Sequence, residues 1–105
     1  MDYAYLADLH AEFELPVKGI HSQVIHKDQF VNVTLFGFAP GEELSAHSSP
    51  TPAVLYFLDG EAEVTAGTDK LDAHPGSFVY LTPSLPHAIA ARSPVRMLLV
   101  QVKKP

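Results

Sequence analysis

The chain has 105 residues, the size of one small domain, and it contains no cysteine. This composition excludes disulfides, thiolate metal sites and a cysteine nucleophile. The formal net charge is −5, from 7 Lys and Arg against 12 Asp and Glu, and the basic residues are scattered along the sequence. A surface that binds nucleic acid needs clustered positive charge, so we expect no nucleic-acid partner.

The apolar runs of the chain are short. The longest are Ala53 to Leu58 and Met97 to Val100, whereas a membrane-spanning helix needs about 20 apolar residues. The segment from Met1 to Leu15 contains four acidic residues and no Lys or Arg, unlike the basic start of a secretory signal. We therefore expect a cytoplasmic protein with no membrane partner.

The first predicted element is a short N-terminal helix over Tyr5 to Phe13, where Leu6, Leu9 and Phe13 recur at helical spacing. After it, short β-rich runs alternate with Pro and Gly, which exclude long helices. The Asp59-Gly60 pair predicts a tight hairpin between two of these runs. The predicted strands are Ile20 to Ile25, Phe30 to Phe38, Leu44 to Ser49, Ala53 to Leu58, Glu61 to Ala66, Leu71 to Ala73, Ser77 to Leu81, Ala88 to Ala91 and Val95 to Lys103. Short strands at even spacing favour one all-β domain, a sandwich or a barrel, over residues 1–105.

Two motifs in the strand region carry a resemblance to a known family. In the first motif five residues separate Gly41 from His47, and Gly60 stands at the closing turn. In the second, Gly76 is followed by an apolar strand and a proline-rich turn that ends at His87. In this order, and in a chain of this length, the motifs resemble those of the cupin superfamily. The resemblance implies a double-stranded β-helix, or jelly-roll barrel, with its core over about 20–103, a pocket inside it, and commonly a homodimer.

The chain departs from the metal-binding members of that family at several motif positions. The resemblance implies four ligands: two His and one Glu in the first motif, and one His in the second. His47 and His87 match the first and last of these ligands. Ser49 replaces the second His, Ala53 falls at the Glu position, and Ser84 stands where the second motif usually has Gly. Two of the four ligands are therefore missing.

The polar residues at the motif positions predict a polar site in a barrel that is otherwise apolar. Residues two apart on a strand share a face, so we expect His47 and Ser49 to point the same way, with His87 facing them across the pocket. Two neutral imidazoles can hold a transition metal, although protein sites usually supply at least three ligands. The candidates for a third ligand are His21, His26, His74 and Gln101, and spacing alone places none of them in the pocket.

Two functions from different classes remain open on the sequence. One is a small-molecule-binding module with Ser49, Tyr56 and Gln101 among its ligand-binding residues. The other is a metal-dependent enzyme of dioxygenase or isomerase type, in which His47 and His87 hold one divalent Fe, Mn, Ni, Zn or Cu ion. Proteins of one fold can have many different activities, so the predicted fold does not decide between these two functions. The missing metal ligands favour the first.

Several other side chains are expected to lie outside the site. Glu61 and Glu63 fit solvated charges at a sheet edge. Arg92 and Arg96 flank the last turn and are expected outside the pocket. The aromatic residues predicted to lie mostly in the core or in a dimer interface are Tyr56, Phe57, Phe78 and Tyr80.

Overall fold

The computed structural model describes residues 2–104, and it is built almost wholly of strands. The strands are β1 (Ile20–Lys27), β2 (Val31–Phe38), β3 (Glu43–His47), β4 (Ala53–Asp59), β5 (Ala62–Ala66), β6 (Asp69–Ala73), β7 (Phe78–Leu81), β8 (His87–Ala91) and β9 (Val95–Val102). The prediction of an all-β chain is confirmed. None of the helical turns in residues 2–104 is long and apolar enough to cross a membrane, and the cytoplasmic location stays a prediction.

The strands form two antiparallel sheets. One has five strands in the order β1-β2-β9-β4-β7, and the other has four in the order β3-β8-β5-β6. Strands that follow one another along the chain often lie in different sheets, whereas distant strands such as β2 and β9 are paired. The chain therefore winds between two facing sheets, which is the jelly-roll arrangement expected from the sequence.

The hydrophobic core fills the space between the inner faces of the two sheets. Along β4, Leu55 and Phe57 are buried whereas Tyr56 between them is exposed, because successive side chains of a strand point to opposite faces. The largest fully buried side chains of this core come from both sheets: Phe38, Phe57, Leu55, Leu81, Ile89, Met97, Val64 and Val95. The core therefore occupies much of the barrel interior and confines a polar site to one end.

The turn at Asp59 and Gly60 is not the hairpin that the sequence suggested. β4 pairs with β7 and β9, whereas β5 pairs with β6 and β8, so the turn carries the chain from one sheet to the other. Gly60 has a positive φ of 86°. An added Cβ at Gly60 would lie 1.9 Å from the carbonyl oxygen of Pro94. Glycine is required here by close packing against the turn before β9.

The N-terminal segment lies over the outer face of the five-stranded sheet. A Cβ at Gly37 in β2 would lie 2.7 Å from Phe13 Cε1 and 3.0 Å from Pro16 Cδ. The predicted helix over Tyr5 to Phe13 is wrong in extent, since the structure has only a 3-10 turn at Leu9–Ala11. Short isolated helices are only marginally stable in water. In this structure the carbonyl of Phe13 accepts its hydrogen bond from Arg96, which is distant in the sequence, and not from a residue of a helix.

The expectation of edge charges is wrong for Glu63. β5 is an inner strand, with β6 on one side and β8 on the other. Glu63 accepts hydrogen bonds from Lys70 Nζ at 3.2 Å and from Arg92 Nη2 at 3.0 Å on the outer face of the four-stranded sheet. The bond from Lys70 holds the pKa of the Glu63 carboxyl below its usual range. The charges on this face therefore form a network rather than an isolated solvated pair.

Candidate metal and ligand site

The structure brings the two motif histidines together. His47 ends β3 and His87 begins β8, and the two residues are directly opposite each other across the strands. Their ring centroids are 4.3 Å apart and their planes are inclined by 59°. His87 is 6% exposed, whereas His47 is open to solvent. The pair therefore sits at the mouth of the barrel, with one imidazole in the wall and one at the surface.

Both imidazoles are held in the same tautomer by the backbone. His47 Nδ1 lies 2.9 Å from the carbonyl oxygen of Ser45, and His87 Nδ1 lies 3.0 Å from that of Leu85. A carbonyl oxygen only accepts hydrogen bonds, so Nδ1 carries the proton in each ring. In the neutral form Nε2 then keeps its lone pair. This is the arrangement found in metal-binding histidines, which usually donate the second ring N–H to a carbonyl or carboxylate.

Two proline-rich loops form the rim of this mouth, at residues 48–52 and 82–86. The loops are joined by a hydrogen bond of 2.7 Å from the Ser84 N–H to the Ser49 carbonyl. β3 ends at His47, so Ser49 lies in the loop and strand alternation does not extend to it. The expectation that His47 and Ser49 share a strand face is therefore wrong. The Ser49 hydroxyl lies 3.3 Å from that of Thr51.

Gln101 lies on the inner face of β9 at the same end of the barrel. It is opposite the buried Ala53 on one side and Asn32 on the other, and partners directly opposite share a face. The Asn32 amide nitrogen donates to Gln101 Oε1 at 3.5 Å. The loop that follows His47 leads into β4 at Ala53, which places the two amides and the imidazole pair at one end.

Sequence reasoning did not find Asn32. Among residues 2–104, its Oδ1 is one of two buried side-chain polar atoms with no hydrogen-bond partner. The only signal in the sequence is a polar residue among the apolar positions of β2. Asn32 is recognised as a site residue only when the pairing of β2 with β9 is known, because this pairing places it beside Gln101.

Tyr56, which the sequence suggested as a ligand-binding residue, does not point into the barrel. Tyr56 alternates with the buried Leu55 and Phe57 and therefore lies on the outer face of the five-stranded sheet. Phe78 is directly opposite it on β7, and Tyr80 is two residues further on the same face. Tyr56, Phe78 and Tyr80 are 41%, 65% and 55% exposed. The three rings form an outer aromatic face, on the opposite side of the sheet from the barrel interior.

The other candidate histidines have different neighbours. His21 packs edge-on against Phe13, with ring centroids 4.4 Å apart, and His74 is exposed before the turn into β7. His26 Nε2 lies 2.8 Å from Asp28 Oδ2. This contact, together with backbone N–H groups of Val31 and Phe30, lowers the pKa of Asp28 to about 2. Over residues 2–104 no set of three His, Cys, Asp or Glu side chains converges as a metal site.

The donor set fits a metal ion with two protein ligands. His47 and His87 supply two unprotonated Nε2 atoms, and imidazole nitrogen suits Zn, Cu, Fe and Ni. Ala53 has no donor atom, and the Ser49 hydroxyl is a poor ligand. The remaining coordination positions would belong to water or to a bound small molecule.

Comparison with known proteins agrees with this architecture. A solved structure of the SPY1581 protein of unknown function from Streptococcus pyogenes is 30% identical, with a TM-score of 0.89 over 100% of this chain and 92% of that one. A cupin superfamily protein, DSY2733 from Desulfitobacterium hafniense, is 26% identical, with a TM-score of 0.83 over 88% of this chain and 84% of that one. KdgF from Halomonas sp. is 18% identical, with a TM-score of 0.75 over 82% of this chain and 81% of that one, and shares the fold. No curated protein matches the chain.

The family assignment rests on the sequence as well as on the fold. The model of the cupin domain matches residues 34–101, from β2 through β9. This span contains both motifs, the imidazole pair and Gln101. The chain therefore belongs to the cupin superfamily.

Proposed function

We propose that this protein binds a small molecule at the mouth of its barrel through one divalent transition metal held by His47 and His87. The observation that supports this proposal best is the pair of hydrogen bonds from the two Nδ1 atoms to backbone carbonyls. Both rings are thereby fixed with Nε2 available, and their centroids are 4.3 Å apart. The two free Nε2 atoms are the donors that one divalent ion would use.

The residues around the pair suit a small polar ligand. His87 forms part of the wall, His47 borders solvent, and the amides of Asn32 and Gln101 lie on the opposite sheet at the same end. A bound metal would act as a Lewis acid and orient an oxygen ligand. The protein's own contribution is to hold the imidazoles, to provide uncharged hydrogen-bonding groups, and to shield one side of the site with the apolar core.

The first experiment is metal analysis of protein purified without a histidine tag. We expect close to one equivalent of Fe, Mn, Ni, Zn or Cu after reconstitution, and loss of that metal in the double variant His47→Ala/His87→Ala. His74→Ala is the matched control, because His74 is an exposed histidine in a turn away from the pair. Equal metal content in the double variant and the wild type would contradict the proposal. Ligand-induced stabilisation without metal would instead favour a metal-free binding module.

We also propose that a second copy of the chain covers the outer aromatic face. Tyr56, Phe78 and Tyr80 leave a large apolar surface on β4 and β7, next to the half-buried Val54 and Leu98. Contiguous exposed apolar surface of this kind marks interaction sites in soluble proteins. The same uncharged patch on two copies can meet around a two-fold axis, so the expected partner is a homodimer.

A further inference from the structure

We infer that a cleft on the outside of the barrel, where β9 ends beside the loop before β2, binds a small amphiphilic anion. The ligand class is an organic acid that carries an apolar or aromatic body. The cleft has a volume of about 660 Å³, and the residues that line it are Gln29, Phe30, Val31, Val102, Lys103 and Lys104. Pockets for small molecules usually have about 300–1,000 Å³. None of these residues belongs to the proposed metal site, so the two sites are independent.

The cleft lies on the opposite face of the five-stranded sheet from the barrel interior. Val31 on β2 and Val102 on β9 are directly opposite each other, and residues in that relationship share a face. Val102 and Leu98 share a face of β9, because an even number of positions separates them. Leu98 is directly opposite Tyr56, which lies on the outer face. A ligand in the cleft therefore contacts the outside of the barrel wall.

Phe30 forms one wall of the cleft and is fixed there by its own backbone. The residue is 66% exposed. Its N–H donates to Asp28 Oδ1 at 2.8 Å, and its carbonyl accepts a hydrogen bond from the Lys103 N–H at 2.9 Å. Because both backbone groups are bonded, the ring stays beside Val102, which is itself 42% exposed. The two side chains present an apolar surface that a ligand can cover.

Lys103 and Lys104 add positive charge at the edge of this apolar surface. The lysine and arginine side chains that form ion pairs within residues 2–104 are Lys70, Arg92 and Arg96. The two lysines of the cleft have no such partner in that part of the chain. A lysine lays its methylene groups along apolar surface and keeps its charge in water. The cleft is therefore complementary to a molecule with an apolar body and one anionic end.

Asp28, the acidic residue of the same loop, does not line the cleft. Its Oδ1 accepts hydrogen bonds from the N–H groups of Phe30 and Val31, at 2.8 and 2.9 Å. Its Oδ2 lies 2.8 Å from His26 Nε2. Both carboxylate oxygens are therefore occupied by donors within the loop and its flanking strands. The charged side chains that do line the cleft, Lys103 and Lys104, are both cations.

The test is a titration of the full chain followed by amide NMR spectra. The probe is 4-phenylbutyrate; 4-phenylbutan-1-ol has the same ring without the charge, and butyrate has the charge without the ring. We expect saturable shifts at residues 28–31 and 102–104, with affinity for the acid about threefold to tenfold above that for the alcohol, the range for one or two exposed ion pairs. Butyrate should bind more weakly than 4-phenylbutyrate. Equal affinity for acid and alcohol would overturn the inference, and so would shifts confined to other residues.

Variants separate the apolar part of the site from its charge. Phe30→Ser keeps the backbone hydrogen bonds and should weaken binding of both the acid and the alcohol by about fivefold or more. Lys103→Gln/Lys104→Gln should lower the affinity for the acid to that for the alcohol. Lys18→Glu, at an exposed position before β1, changes the net charge by the same two units, and Leu71→Ser removes an exposed apolar side chain from the other sheet. Wild-type affinity in either cleft variant would overturn the inference.

Two further measurements test other locations and other partners. Affinity for 4-phenylbutyrate should be the same after treatment with EDTA and after addition of one equivalent of Zn²⁺. A requirement for metal would place the acid at the imidazole pair and overturn the inference. Co-sedimentation with phosphatidylglycerol vesicles tests a lipid surface. Binding to these vesicles without saturable binding of 4-phenylbutyrate would assign the apolar and cationic surface to a membrane instead.

Discussion

Arg96 and Asp59 form an ion pair 2.6 Å long on the outer face of the five-stranded sheet, where the register of β4 and β9 shifts between Phe57 and Asp59. The Arg96 side chain is 8% exposed, and its second terminal nitrogen donates to the carbonyl of Phe13 at 2.6 Å. One guanidinium therefore joins the bulge in the sheet to the N-terminal segment.

Arg96→Met is expected to lower the free energy of unfolding by about 2–4 kcal/mol, because it leaves a partly buried carboxylate and a carbonyl without their donor. Urea unfolding followed by circular dichroism measures this change. Arg92→Met is the control, since Arg92 is far more exposed. If Arg96→Met instead abolished metal binding in a protein of unchanged stability, the placement of the site at the barrel mouth would be contradicted.

Gly60→Ala is expected to destabilise the fold by about 3 kcal/mol or more, because the new methyl group would overlap the Pro94 carbonyl. Gly41→Ala is a matched control, with a φ of 84° and no atom within 4 Å of the added Cβ. Its cost should be the backbone strain alone, about 1–2 kcal/mol. Equal losses in the two variants would show that φ, rather than contact with Pro94, decides the effect.

Ser84→Gly is expected to stabilise the protein by about 1 kcal/mol. Ser84 has a φ of 67°, a conformation that costs an L-residue about 1–2 kcal/mol and costs glycine almost nothing. The measurement is the midpoint of urea unfolding. Ser48→Gly, in the other loop of the rim, should leave stability the same or slightly lower, so a gain in both variants would contradict the explanation.

Asp28 should contribute to acid sensitivity. The hydrogen bond from His26 and the N–H groups of Val31 and Phe30 lower its folded-state pKa to about 2, from 3.8 in the unfolded chain. A depressed carboxyl pKa gives stability that is present above pH 3.8 and is lost as the pH falls towards about 2. Asp28→Asn should therefore lose stability at neutral pH and show a flatter pH dependence in that window, measured by thermal unfolding.

Asp69→Asn provides the comparison for Asp28, since Asp69 is an exposed carboxyl at the start of β6. It removes one exposed carboxyl without touching the contact between Asp28 and His26, so it controls for the change in net charge. A wild-type pH profile in Asp28→Asn would show that the loop contacts of Asp28 do not contribute.

The double variant Phe78→Lys/Tyr80→Lys is expected to convert a dimer to a monomer, because it places four positive charges in a two-fold contact. Analytical ultracentrifugation at several protein concentrations measures the change. Leu71→Lys, at an exposed apolar position on the other sheet, is the control and should keep the wild-type mass. A monomeric wild type at high micromolar concentration would contradict the dimer directly.

The strands were predictable because their side chains alternate and because Pro and Gly separate them. The turn at Asp59 and Gly60 was not, since the same two residues suit a hairpin and a crossing between sheets. The pairing of β4 with β9 decides between the hairpin and the crossing. These two strands are neighbours in space but lie far apart in the sequence. The helix over Tyr5 to Phe13 failed for the same reason, because the contacts of Phe13 with Gly37 and Arg96 are non-local.

For the site, the sequence predicted which histidines to consider but not their chemical state. His47 and His87 were found from the motifs, whereas their tautomers depend on where the carbonyls of Ser45 and Leu85 lie. Asn32 required the β2–β9 register. Tyr56 was chosen as an aromatic with a polar group, and only its alternation with the buried Leu55 and Phe57 shows which face it occupies.

The hydrogen bond between Ser84 and Ser49 has a consequence for how a ligand enters. It joins two loops whose prolines already fix much of their backbone, so the rim is preorganised before anything binds. Little conformational entropy is then lost on binding, and a weak set of contacts can still give useful affinity. The same stiffness holds the two loops at a fixed separation, which would limit the size of any molecule that the proposed site admits.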